Sequence, residues 1–299
     1  MNLEDSLYPK AARSEKFLNK CVSIDLEIDP KTNRIQSFAG VRHKPVGSCV
    51  FERGNLLEAL ERLDRFSDAS EFVVGHNFIT FDARHLQTTT RDLRLLSKPI
   101  IDTLWLNPLA FPRNPYHHLV KHYQDGRLQA GHVNEPELDA DLVLTVLSNQ
   151  IEALSEINRA NPEITRVYHY LTTTQLDHAG FNAVFEFVRG ARRPGPAEAQ
   201  TAIRRLLRGV ACVHKIETVI PEVARDGWPL AYALAWISVA GGDSVMPPWV
   251  RHQFPEANHL VRRLRDTPCT DPDCDWCREQ NDPKALLKRW FGFEVSTAE

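Results

Sequence analysis

Between residues 21 and 28 apolar and polar positions alternate without a break. Val22, Ile24, Leu26 and Ile28 fall on one side, Ser23, Asp25 and Glu27 on the other. A period of two is the mark of a β-strand. Residues 35–41 and 49–51 carry further strand patterns, the first after a turn-forming Asn33-Arg34 pair, so a meander of three strands is predicted. The period then changes. Asn55 stands where a helix N-cap belongs, and Leu56, Leu57, Leu60, Leu63 and Phe66 follow at helical spacing. Short apolar runs at 72–74 and 100–101 read as buried strands, the first ending in Gly75-His76-Asn77 and the second at Asp102. Over residues 139–157 the stripe Leu142, Val143, Val146, Leu147 and Leu154 predicts a helix. Three strands in sequence, then helix, strand, helix, strand, imply an α/β fold with a mixed sheet and helices on its faces.

Past Pro162 the patterns are helical, over 168–174, 179–188, 197–220 and 228–239. Arg193-Pro194-Gly195-Pro196 reads as a loop, and residues 241–249 as a loop too apolar for a linker. The expected organisation is an N-terminal extension over 1–20, an α/β domain over 21–157, a mainly helical domain over 158–266 and a Cys-rich segment over 267–299.

Composition narrows the class without naming a chemistry. The 299 residues are 42% apolar and 25% charged, ordinary for a globular chain. No apolar run has the length needed to cross a bilayer, and the charged start is unlike a signal peptide. The six cysteines are too scattered for a disulfide framework, which suggests a reducing, cytoplasmic compartment. A net charge of -3 announces no global attraction to nucleic acid. Locally, Arg189, Arg192, Arg193, Arg204, Arg205 and Arg208 lie close together, which reads either as a solvated helix face or as a track for phosphates.

Four acids change the picture. Asp25 and Glu27 stand side by side on their strand, roughly 7 Å apart at Cα, and like charges that close repel unless a cation lies between them. The loop after Gly75 places Phe81 and Asp82 at the opening of a helix. At about 100° per residue, Asp139 falls on the apolar face of its helix and Asp141 on the opposite face. A carboxylate on a buried face needs a partner or a metal. His132 lies in the loop just before. Four of these five residues also have an ordinary reading: a solvated strand face for Asp25 and Glu27, a helix cap for Asp82, a surface loop for His132. Asp102 and Asp141 are left to ordinary structural roles. Tyr116 reads as a core aromatic or as a platform for a base.

Taken together, residues 20–156 resemble the DEDDh branch of the DnaQ-like 3'–5' exonucleases. Asp25-Leu26-Glu27 matches the first motif, His76-Asn77 through Phe81-Asp82 the second, and His132 with Asp139 the third. Six residues separate His132 from Asp139, where many members have four, and Pro136 in that gap is expected to kink the loop. The resemblance implies an RNase H-like sheet and two Mg2+ or Mn2+ ions held by Asp25, Glu27, Asp82 and Asp139. Asp25 would bridge the ions and His132 would take a proton from the attacking water. Asn77 and Phe81 read as loop-shaping and packing residues or, with Tyr116, as contacts to the terminal nucleotide. The implied substrate is a 3' end of single-stranded DNA, in repair or in defence against foreign DNA; RNA is the alternative substrate, and a catalytically silent binding module the alternative class.

A second set of ligands lies near the end. Cys269, Cys274 and Cys277 form a C-x4-C-x2-C spacing suited to Zn2+, with His252, His259 or Cys212 as the candidate fourth ligand. Residues 238–249, the cysteine cluster, and Asp282-Pro283 leading to Trp290-Phe291-Gly292-Phe293 resemble the segment that joins such exonucleases to RecQ-type helicases. That likeness implies a RecQ-type helicase as partner. The chain has no G-x-x-x-x-G-K-[ST] loop of its own, so a stand-alone relative, a partner of a separate helicase or a fragment of a fusion are all expected forms.

Overall fold

The computed structural model describes residues 10–90, 92–117, 119, 135–174, 179–220, 227–239 and 245–292. After a first helix, α1 (Lys10–Leu18), the chain forms β1 (Cys21–Asp29), β2 (Arg34–Arg42) and β3 (Gly47–Phe51). Helix α2 (Leu56–Ser67) leads to β4 (Phe72–Gly75), α3 (Asp82–Thr89), a 3-10 turn and β5 (Ile100–Asp102). The five strands lie in the order β3-β2-β1-β4-β5. β1, β2 and β3 pair antiparallel, while β4 and β5 run parallel to β1. The mixed sheet expected from the pattern is therefore present. Asn55 caps α2 as its position suggests, accepting from the N–H groups of Leu57 and Glu58.

Both faces of the sheet are covered. Val22, Ile24, Leu26, Phe38 and Val73 pack with Ala59, Leu60, Leu63 and Leu86 of α2 and α3. The opposite face meets α4 (Thr103–Ala110) and the long α5 (Pro136–Ala160), where Val74 and Ile101 join Val143, Leu144 and Leu147. The polar side of β1 thus faces a helix, with Ser23 buried and Asp25 and Glu27 half-buried. Pro136 does not kink a loop. It is the first residue of α5, where a missing N–H is harmless and the fixed φ suits the helix.

The remaining described chain is helical: α6 (Pro162–Leu171), α7 (Ala179–Arg189), α8 (Pro196–Leu207), α9 (Val213–Val219), α10 (Trp228–Leu234), α11 (Pro248–Gln253), α12 (Pro255–Val261), α13 (Asp275–Asn281) and α14 (Pro283–Phe291). The single helix read over 197–220 is two, because the chain turns at Gly209, whose φ of +79° favours glycine. Helix α6 begins at Pro162, earlier than its apolar pattern suggested, and α11 begins inside what read as loop. One continuous apolar cluster runs from α4 and α5 through α12, with Trp105, Phe181, Trp228, Tyr232 and Phe254 edge-on or stacked at its centre. No helix among the described residues is long and apolar enough to cross a membrane.

Candidate functional site

The acids of β1 meet α5. Asp25, Glu27 and Asp139 each offer a carboxylate oxygen within 4.8 Å of the others. Two of them are delivered by the alternation of β1. The third comes from the first turn of α5, whose apolar stripe turns Asp139 inward and leaves Asp141 exposed. A shift of strand register falls between Glu27 and Ile28, at the edge of the group. Such irregularities re-aim side chains next to sites.

Asp82 is the first residue of α3 and is buried. It is not one of the three close carboxylates. It feels the charge of Asp25. Burial, reinforced by Asp25 and Asp102, raises its pKa well above the usual carboxylate range. Asp25 is pushed up to about 8, first by burial and then by the neighbouring charges of Asp139 and Glu27. So much uncompensated negative charge in one place is what a hard divalent cation relieves, since carboxylate oxygens are its preferred ligands.

The loop between β4 and α3 is held by a residue the sequence reading left aside. Asp102, fully buried at the end of β5, accepts from the N–H of Asn77 (2.9 Å), Ile79 (3.0 Å) and Leu104 (3.0 Å). One carboxylate therefore ties the loop that presents Asp82 to the start of α4. Burial lifts its pKa to about 6 against the pull of these donors. An Asp that closes a strand and precedes a helix is an N-cap signature, so this half of its role was readable; its grip on the distant loop was not. Asn77 adopts a left-handed backbone with φ of +67°, and its side chain accepts from the Thr80 hydroxyl. Gly75 is needed because a Cβ there would lie 2.6 Å from that of Phe78.

His76 follows at the end of β4. The Thr103 hydroxyl donates to the Gly75 carbonyl (3.1 Å), so at its contact with His76 Nδ1 (2.9 Å) it can only accept, and Nδ1 carries the proton. Gln150 of α5 donates to the Thr103 carbonyl and to Asn107 Oδ1, both at 2.6 Å, linking α5 to α4 below the acids.

Phe81 is partly exposed beside Asp82, its ring edge-on to His85. Tyr116 is exposed, so it is not the core aromatic that was one reading of it. Its neighbour His117 is buried and accepts at Nδ1 from the indole N–H of Trp249 (3.0 Å), near α11. His132 lies outside the described residues.

The arginine run is largely engaged with the chain itself. Arg204 makes a two-pronged pair with Glu217 (2.7 and 2.8 Å) and Arg205 reaches Glu163 (3.3 Å). Arg193 donates to Thr173 and to the Tyr170 carbonyl. Arg189 donates to Nδ1 of the buried His169 (2.7 Å), whose Nε2 faces Asn182 Oδ1 (2.9 Å). Burial first, then nearby arginines, lower the His169 pKa to about 4. These contacts fasten helices together, and only Arg192 and Arg208 of the run stand apart from them.

A second group unites Cys212, Cys269, Cys274 and Cys277, with their sulfurs all within 4.8 Å of one another. His252 and His259 are exposed and stand outside it. Cys212, just before α9, is the fourth member. All six cysteines are free thiols. Sulfurs placed about 2.3 Å from a common centre in a tetrahedron lie about 3.8 Å apart, and the Cys212 and Cys274 sulfurs are 3.8 Å apart.

A scan against models of protein families finds none that matches the chain, and a search of curated proteins returns no significant match.

Proposed function

We propose that this chain is a metal-dependent 3'–5' exonuclease acting on single-stranded DNA ends. The observation that carries the reading is the convergence of Asp25, Glu27 and Asp139 within 4.8 Å, with the buried Asp82 within reach of the Asp25 charge. The order of the motifs along the chain, which resembles the DEDDh exonucleases with their RNase H-like sheet, supports it by analogy.

Asp25, Glu27 and Asp139 would hold the Mg2+ or Mn2+ ions, with Asp82 completing the set. Bound there, such ions polarise a phosphodiester and lower the pKa of water. The chain's own part is to keep three carboxylates converged despite their repulsion through the α5–β1 contact, to hold the Asp82 loop by the Asp102 brace, and to present the phosphate to them. His132 is assigned the proton from the attacking water, and Asn77, Phe81 and Tyr116 the terminal nucleotide. The thiol group is a separate centre whose soft sulfurs select Zn2+. A RecQ-type helicase is the proposed partner, a role in repair or defence the proposed setting.

The test is hydrolysis of 3'-labelled single and double strands of DNA and RNA with Mg2+ or Mn2+, with Asp25→Ala as control. The expected result is cleavage of single-stranded DNA that the variant loses. Faster cleavage of RNA would move the substrate class, equal cleavage by the variant would assign the activity to a contaminant, and no cleavage on any strand would favour a silent binding module.

A further inference from the structure

We infer that the four thiols form a closed zinc site whose task is mechanical: it fastens residues 269–292 to the turn between α8 and α9, and the metal rather than an apolar core holds that segment in place.

The first support is the ligand set. Four sulfurs leave no open position for substrate or water, the arrangement of a structural centre. Three of them sit in a C-x4-C-x2-C stretch, while Cys212 comes from far upstream. A centre confined to the last stretch would only shape that stretch. One that recruits Cys212 joins two parts of the chain.

The second support is what surrounds them. From residue 269 onward, Cys274 and Cys277 are the only buried side chains among those described. The apolar cluster at this place consists of Cys212, Cys274 and Cys277, with Cys269 and Trp276 against it, and is separate from the main core. Helices α13 and α14 pack mainly on each other. A stretch this short, with no core of its own among the described side chains, needs a staple, and a metal bound by thiolates is one of the few available.

The third support is an outer layer of polar contacts. His214, two residues past Cys212, places Nδ1 3.9 Å from the Cys269 sulfur and Nε2 3.2 Å from Asp271 Oδ2. The Cys269 backbone N–H points at the Cys277 sulfur (3.3 Å). N–H groups aimed at sulfur, and a carboxylate orienting the imidazole, are how proteins support thiolate ligands.

Metal analysis of the full chain, purified without chelator, tests the site, and limited trypsin cleavage at Arg278 and Lys284 tests the fastening. Zinc is expected at one per chain. Ejecting it with an organomercurial, read by a chromogenic chelator, should speed cleavage at these two positions at least about tenfold, as expected for loss of metal-coupled folding, while the α/β part stays resistant. Cys212→Ser should lose zinc and expose the same two positions, with Cys49→Ser as unchanged control. Should Cys212→Ser fail to fold, adding Zn2+ back to stripped wild-type protein must restore protection. Absence of zinc, retention of zinc by a folded Cys212→Ser, or unchanged cleavage after ejection would each overturn the inference. No readout involves a nucleic acid, so the outcome is independent of the exonuclease proposal.

Discussion

The carboxylate and thiol groups stand in opposite relation to the fold around them. The carboxylates are brought together by a sheet and a long helix with an extensive core on both sides. The scaffold assembles them against their own repulsion; burial first, and then the charges of Asp139 and Glu27, push Asp25 up to about 8. The thiols have almost no core beneath them. On the proposed readings, the fold would hold the ligands for a metal in the first region, and the metal would hold the fold in the second. An oxygen site built by the scaffold can exchange its ions and take in substrate, whereas a closed sulfur site can only hold.

The largest effect that would break this contrast is on the acids. Asp139→Asn should lower hydrolysis by at least about 1,000-fold, on the scale of a missing charge ligand in metal-assisted phosphoryl chemistry, and Asp141→Asn should leave it within about twofold. Without divalent cations the unfolding midpoint of Asp139→Asn should not fall, because the change removes repulsion. A large loss of stability would mean that the acids serve as structural ligands, as the thiols do.

A scaffold that assembles its site needs its brace. Asp102→Ala orphans several buried N–H groups at once and should cost about 3 kcal/mol in urea unfolding, with a fall in kcat as the Asp82 loop loosens. Asp102→Asn, which keeps one acceptor oxygen, should restore part of both. If the loop variants cleave like wild type, the brace is not what positions Asp82.

The helical region also buries polar groups without help from metal, and His169 sharpens that point. Its folded pKa of about 4 lies below the ordinary 6.5. The unfolded chain therefore binds the proton more readily, so the stabilisation is complete above about pH 6.5 and is lost as pH falls towards 4. Stability should drop by about 2 kcal/mol between pH 7 and pH 5 from this residue, and His169→Gln should flatten that part of the profile. Smaller still, Trp249→Phe removes the hydrogen bond to His117 and should cost about 1 kcal/mol. A change in KM for the strand with kcat intact would tie that contact to the placing of Tyr116.

What the chain determined by itself was local. The period-two stretch of β1 put Asp25 and Glu27 on one face, the stripe of α5 turned Asp139 in and Asp141 out, and Asn55 capped its helix, because each depends on residues a few positions apart. The spacing of Cys269, Cys274 and Cys277 was legible for the same reason. Only the tertiary structure decided which elements would meet. It laid α5 across the polar face of β1, tied Asp102 to the backbone of the Asn77 loop, engaged most of the arginine run with neighbouring helices and chose Cys212 over His252 and His259. Those pairings join residues tens of positions apart. They are set by how whole faces pack and by which backbone donors burial leaves unsatisfied, and neither quantity is carried by any short stretch of residues.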